Sequence, residues 1–181
     1  MGYWKVRGKG HQIKYLLAYL GVDYDQEVFE HGEKKETAMK PWLDKKYHMG
    51  LDFPNLPYLV DGDVKLSESK SIMKYLCQKH QPELMGRTAE QMATADMISR
   101  IHDTLHGQFG KHCFGAGDTP ALQSDIDAAA GKLARFLGEK EFIVGDEVTF
   151  VDFSVFELLD HMNFCSKGRT FRDHANLRAY F

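Results

Sequence analysis

The sequence predicts two unlike halves, an α/β unit followed by an all-helical one. Three observations carry that reading. In residues 1–80 short strand-prone runs alternate with runs of helical period, whereas beyond residue 88 strand signals are few and helical period continues. Between them Gln81-Pro82-Glu83-Leu84-Met85-Gly86-Arg87 has the composition of a linker. The chain of 181 residues is long enough for one domain or two small ones, and it needs no disulfide or metal to hold a core together.

Residues 3–6 are a short β-prone opening. Ile13, Leu16, Leu17 and Leu20 then follow the i, i+3, i+4, i+7 spacing of an amphipathic helix, and Gly21 stands where a helix C-cap belongs. Residues 24–29 read as a second strand. Trp42, Leu43 and Tyr47 fall on one face of a short helix. Residues 58–60 and 64–66 read as a hairpin around Asp61-Gly62. Residues 69–79 read as a helix with Ile72, Met73, Leu76 and Cys77 inward. In the second half Ile98, Ile101, Leu105 and Phe109 are spaced for one helix. Leu122, Ile126, Ala129, Leu133 and Phe136 are spaced for another, with Pro120 near its start. Thr149-x-x-Asp152 has the form of a capping box and opens a third helix, carrying Val151, Phe153, Val155, Phe156, Leu158 and Leu159. Apolar nearly all round, that helix is expected at the buried centre of the second half. Residues 176–181 read as the first turn of one more.

Composition narrows the function. Lys plus Arg is 23 against 26 Asp plus Glu, a net charge of −3, without the basic excess that phosphate neutralisation requires, so no nucleic-acid partner is expected. No apolar run approaches the ~18 residues of a membrane span, and the first residues lack a signal-peptide layout, so no membrane is expected and the cytoplasm is the default. Cys77, Cys113 and Cys165 are odd in number and scattered, which fits free thiols rather than a disulfide framework or a zinc cluster.

Several local patterns invite chemistry. His102 and His106 stand at i, i+4 and share a helix face, as in zinc-binding His-x-x-x-His pairs. No third ligand is evident, and two surface or groove-lining histidines are the plainer reading, so no metal is expected. Gly8-Lys9-Gly10 lacks the rest of any phosphate-loop signature and reads as a strand-to-helix turn. That turn holds no cysteine, which excludes a dithiol redox centre there. Leu51-Asp52-Phe53-Pro54-Asn55-Leu56-Pro57-Tyr58 is more informative. Two prolines flank Asn-Leu just before a strand, a setting in which a cis bond occurs and the backbone N–H and C=O of Leu56 form an edge that a peptide can pair with. Ser69, close behind, opens a helix whose N-terminus suits a carboxylate. Together these describe a peptide edge beside a carboxylate site.

Four stretches carry a family resemblance: Gly2-Tyr3-Trp4-x-Val6-Arg7-Gly8, Pro41-Trp42-Leu43 with Lys45 and Lys46, the Leu51–Leu59 run, and Gly145-Asp146-x-Val148-Thr149-Phe150-Val151-Asp152-Phe153. They resemble the cytosolic glutathione transferases of the mu class along nearly the whole chain. The resemblance implies a thioredoxin-like glutathione-binding domain over 1–80, a linker over 81–87, and an all-helical domain over 88–181 that stops short of the family's usual C-terminus. It implies a homodimer that conjugates glutathione, as co-substrate and with no other cofactor, to small electrophiles. An alternative is a binding or structural module of the same fold with little catalysis.

The resemblance also implies roles. Tyr3 matches the catalytic tyrosine, whose hydroxyl donates to the glutathione thiolate. Trp4, Trp42, Lys46 and Asn55 match residues holding the glycyl and cysteinyl parts. Leu56, before a cis Pro57, matches the backbone edge. Glu68 and Ser69 match the pair at the γ-glutamyl end, which Asp103 of the partner subunit also reaches. Phe53 matches an apolar key inserted into the partner. Val6, Lys9, His102, His106 and Cys113 fall on the electrophile site, where Lys9 and the two histidines replace apolar residues and imply a polar or anionic acceptor. Two departures affect glutathione itself: Met39 stands where the family usually has Arg, and Glu68 where it has Gln.

Overall fold

The structure, a computed structural model, describes residues 1–32, 37–111 and 119–181. The chain divides into two compact units, Met1–Gln81 and Pro82–Phe181.

The first unit is built on a four-stranded mixed sheet in the order β2-β1-β3-β4. Strands β1 (Gly2–Trp4) and β2 (Glu27–Phe29) run parallel in the register Tyr3↔Val28. β3 (Tyr58–Asp61) and β4 (Val64–Ser67) form the hairpin, and β3 pairs antiparallel with β1. The second strand is shorter than residues 24–29, because its parallel partner offers only three residues to pair with. The hairpin turn falls one residue later than expected. Asp61 pairs with Val64, so Gly62 and Asp63 make the loop, with Gly62 at φ 61 in its first position, where a type II′ turn takes glycine.

Helices α1 (Lys9–Tyr19) and α3 (Ser69–His80) pack against each other. Ile13, Leu16, Leu17, Ile72, Met73, Leu76 and Cys77 are all at most 2% exposed. Gly21 ends α1 as expected. At φ 64 it allows its N–H to bond Ala18 and that of Val22 to bond Leu17, the paired bonds of a Schellman motif. Helix α2 (Lys40–Lys46) is only seven residues long and buries one side chain, Trp42. A second aromatic and apolar cluster joins Tyr3, Phe29, Trp42, Leu56 and Tyr58.

The second unit opens with a 3-10 turn, Pro82–Met85, in which Leu84 is buried. Then follow α4 (Ala89–Lys111), α5 (Pro120–Leu137), α6 (Phe150–Cys165), α7 (Arg169–Asp173) and α8 (Ala175–Tyr180). Helix α6 is the buried centre, packed against α4, α5 and α7. Its inward face differs in part from the apolar roll-call: Asp152, Ser154 and Glu157 are buried, while Phe153 and Phe156 are only half-buried. The buried stripe of α4 runs through Ala95, Ile98, His102 and Phe109, and Ile101 faces out at 42% exposed. On α5, Leu137 rather than Phe136 completes the stripe, and the ammonium of Lys140 sits 3.9 Å over the Phe136 ring. Among the described residues no helix is long and apolar enough to cross a membrane.

Candidate functional site

Tyr3 sits in β1 and is 8% exposed. Its ring lies against the first turn of α1, where a Cβ on Gly10 would stand 2.3 Å from Cδ1. The Gly8-Lys9-Gly10 turn thus has a steric purpose. Gly8 adopts φ 100 to start the helix, and Gly10 leaves room for the tyrosine. Trp4, on the opposite side of the strand, is half-buried and stacks on His31 at 4.4 Å and 19°.

The loop before β3 carries the edge. The Leu56–Pro57 peptide is cis, and Leu56 and Pro57 are buried. Asn55 bridges this edge to α3. Its Nδ2 donates to Glu68 Oε1 at 3.1 Å, and its Oδ1 accepts from the Leu56 N–H at 2.9 Å. The Leu56 donor is therefore occupied by the neighbouring amide, not open as the sequence pattern alone suggests. Glu68 precedes α3 at φ 69, a left-handed backbone at a non-glycine residue. That backbone sets an exposed carboxylate beside Ser69, which is 3% exposed at the first position of α3. Phe53, at the tip of the same loop, is 84% exposed. The loop is tied down by the Ser67 hydroxyl, which donates to the Phe53 carbonyl at 2.5 Å.

Trp42 is 3% exposed, stacked on Tyr58 at 6.3 Å and 16° and meeting Phe29 edge-on at 5.5 Å. Lys46, four residues on, lies half-buried with its ammonium 5.3 Å from the Tyr47 ring. Lys45 beside it bonds both carboxylate oxygens of Glu27 at 2.6 Å, and the Tyr58 hydroxyl donates to the same carboxylate. Burial pushes the Glu27 carboxyl up, but the bonds from Lys45 and Tyr58 outweigh it and hold the group below the usual range. Burial, and then that carboxylate, push the Tyr58 phenol far above its ordinary value. Met39, in the place of the family arginine, is 45% exposed.

Tyr3, Trp4, Val6, Lys9, Trp42, Lys46, Asn55, Leu56, Pro57, Glu68 and Ser69 all lie in the first unit; Val6 and Lys9 are half-buried there. In the second unit His102 is buried, not at the surface, with Nδ1 3.2 Å from Asp103 Oδ1 and its ring 5.7 Å from that of His106. Asp103, 40% exposed at its side chain, thus has an acceptor engaged within its own helix. Cys113 lies outside the described residues. Among those described, no group of three or more His, Cys, Asp or Glu is arranged to hold a metal ion. Burial pushes the Cys77 thiol up to about 12, which disfavours its thiolate. Sequence reasoning missed Glu27, Tyr58 and His31. Each acts on a residue far along the chain, and no local spacing marks such a pair.

A four-stranded sheet with a cis-proline edge, joined to a separate helical unit, defines the class: a thioredoxin-like domain followed by an all-helical one. Comparison narrows it further. The glutathione S-transferase N-terminal domain family matches residues 1–78, and the C-terminal domain family matches residues 102–181. Glutathione S-transferase Mu 1 of Mus musculus is 37% identical over 164 residues, spanning 88% of this chain and 74% of that protein. Glutathione S-transferase 2 of Gallus gallus is 36% identical over 163 residues, spanning 88% of this chain and 73% of that protein. Among solved structures, the glutathione S-transferase Blo t 8 superimposes with a TM-score of 0.84 at 28% identity, over 99% of this chain and 84% of that one. The chain therefore belongs to the glutathione S-transferase family, with mu-class members among its relatives.

Proposed function

We propose that this protein activates glutathione as its thiolate and conjugates it to small electrophiles, a detoxifying role with glutathione as co-substrate and no resident cofactor. One observation carries the reading beyond family membership. The cis-proline edge, the Asn55 bridge and the Glu68–Ser69 start of α3 form one bonded unit that matches a γ-glutamyl-cysteinyl peptide in chemistry. A cysteinyl backbone pairs with Leu56, with its carbonyl taking over the N–H that Asn55 now holds. The γ-glutamyl carboxylate meets Ser69 and the first N–H groups of α3, and its ammonium meets Glu68. Asp103 of a partner subunit completes that end. Trp4, Trp42 and Lys46 take the glycyl end; with Met39 in the arginine position, Lys46 is the cation there.

A free thiol has a pKa near 8.5, so at neutral pH its thiolate is the minority form. The Tyr3 hydroxyl donates a hydrogen bond to sulfur and favours the ionised state. The thiolate then attacks an electrophilic carbon, forming the C–S bond as the leaving group departs with the bonding pair. For the second substrate, Val6, Lys9, His106 and Cys113 remain the assigned residues. His102, matched to the same site, is buried within the second unit. Lys9 and His106 favour a polar or anionic acceptor. Phe53, an almost fully exposed aromatic on a tethered loop, supports a homodimer in which it enters the partner. The buried, unbridged thiol of Cys77 suits the reducing cytoplasm.

The test is turnover of glutathione with a neutral nitroaryl halide and with its carboxylated analogue, for the native protein and for Tyr3→Phe. Tyr3→Phe is expected to lose about 100-fold in kcat, the usual cost of one donor to a developing anion. The anionic acceptor is expected to react with the higher kcat/KM. Full activity in Tyr3→Phe removes the tyrosine's role, a clear preference for the neutral acceptor removes the acceptor assignment, and inactivity of both proteins alongside retention on immobilised glutathione removes catalysis.

A further inference from the structure

Helix α2 presents Trp42 and Lys46, yet it has little to hold it in place. At seven residues it is far shorter than the ~12–15 at which an isolated helix becomes even marginally stable. Its ends carry no side-chain cap, and Trp42 is its one buried residue. Among the described residues, its anchors are Trp42, which meets Phe29 edge-on as well as Tyr58, and Lys45. Trp42 stacks on Tyr58. Lys45, in the last turn, bonds both oxygens of Glu27 at 2.6 Å. These attachments converge, because the Tyr58 hydroxyl also donates to Glu27. The Tyr58 ring is in turn seated over Gly2, where a Cβ would come within 2.1 Å of Cε1. Glu27 itself is fixed by β2, its N–H bonded to the Met1 carbonyl at 2.9 Å. A single carboxylate thus fixes both the ring under Trp42 and the residue next to Lys46.

We propose that Glu27, with Lys45 and Tyr58, is a positioning residue for the glutathione site, holding Trp42 and Lys46 in the register that receives the glycyl end. The inference rests on the functional reading above, and none of the three residues touches glutathione in that reading. Half-exposed ion pairs are usually worth little to stability. The expected effect therefore falls on glutathione affinity, which depends on the exact place of two side chains, rather than on folding or on the chemical step.

Three variants test it: Glu27→Gln, Lys45→Met and the charge-exchanged double Glu27→Lys/Lys45→Glu, in which Tyr58 can accept from the new ammonium. Each single change is expected to raise KM for glutathione about three- to tenfold, the equivalent of one modest charge-assisted contact, with kcat at saturating glutathione within about twofold. The exchanged double is expected to return KM to within about twofold of native. An unchanged KM in the singles, a fall in kcat without a rise in KM, or a double no better than the singles overturns the proposal. A second readout needs no activity. The chain has two tryptophans, so a Trp4→Phe background reports Trp42 alone. Adding Glu27→Ala is expected to shift Trp42 emission to the red, and unchanged emission overturns the positioning role. Should the native protein neither bind nor turn over glutathione, the functional reading fails, while the emission result still decides whether Glu27 holds Trp42.

Discussion

Gly10 shows how one absent side chain shapes the proposed chemistry. Gly10→Ala would drive a methyl to within 2.3 Å of the Tyr3 ring, and because Tyr3 is packed into β1 it cannot swing away freely. The expected result is a displaced hydroxyl: at least tenfold lower kcat with nitroaryl halides, and a stability loss of about 1–3 kcal/mol, as overpacking usually costs. Unaltered kinetics would mean the ring is not where the thiolate needs its donor. Asn55 works differently. Its amide is oriented at both ends, by the Glu68 carboxylate and by the Leu56 N–H, so the γ-glutamyl and cysteinyl parts of the proposed site share one rigid linker. Spacing along the chain gives no hint of this, because Asn55 and Glu68 are brought together by the hairpin between them.

At the scale of elements, α6 is organised by its own first turn. Asp152 is buried at 6% exposure, and its carboxylate accepts from the Ile143 N–H, from the Thr149 N–H and hydroxyl, and from the Tyr180 hydroxyl of α8. The capping box was legible in Thr149-x-x-Asp152; the reach to Ile143 and Tyr180 was not. Asp152→Ala leaves several buried donors without an acceptor and is expected to cost about 3 kcal/mol or more. If the 181-residue chain unfolds as one cooperative unit, that lowers Tm by roughly 6–12 °C. Tyr180→Phe removes one bond and is expected to cost only about 1 kcal/mol. Thermal melts of both check the order, and an equal cost would show that the cap itself contributes little. Helix α4 carries the opposite lesson. The sequence offered Ile101 for the inward stripe, but His102 takes it. From Ile98, both i+3 and i+4 lie near the same face, and packing chose between them.

For the molecule as a whole, the 84% exposed Phe53 on its tethered loop is the observation behind the proposed dimer, in which Asp103 of the partner subunit would complete the glutathione site. Phe53→Ser is expected to shift light scattering from dimer to monomer at micromolar protein and to raise KM for glutathione, since a central aromatic anchor is typically worth about 2 kcal/mol or more. A native protein that runs as a monomer would remove both expectations. The sequence by itself determined the α/β and helical halves, the longer helices and the hairpin, the capping box and the family. Each of these is written in short-range spacing or in a local motif. It left the cis bond at Pro57 as one option and did not mark the 3-10 turn or the short α7. Tertiary structure alone decided which residues share a site: Gly10 under Tyr3, Asn55 between Leu56 and Glu68, His102 inside α4's stripe, and Glu27 with Lys45 and Tyr58 beneath Trp42. Helical and strand periods fix which face a residue occupies, but not which distant residue the closing of the sheet and the packing of the helices will bring against it.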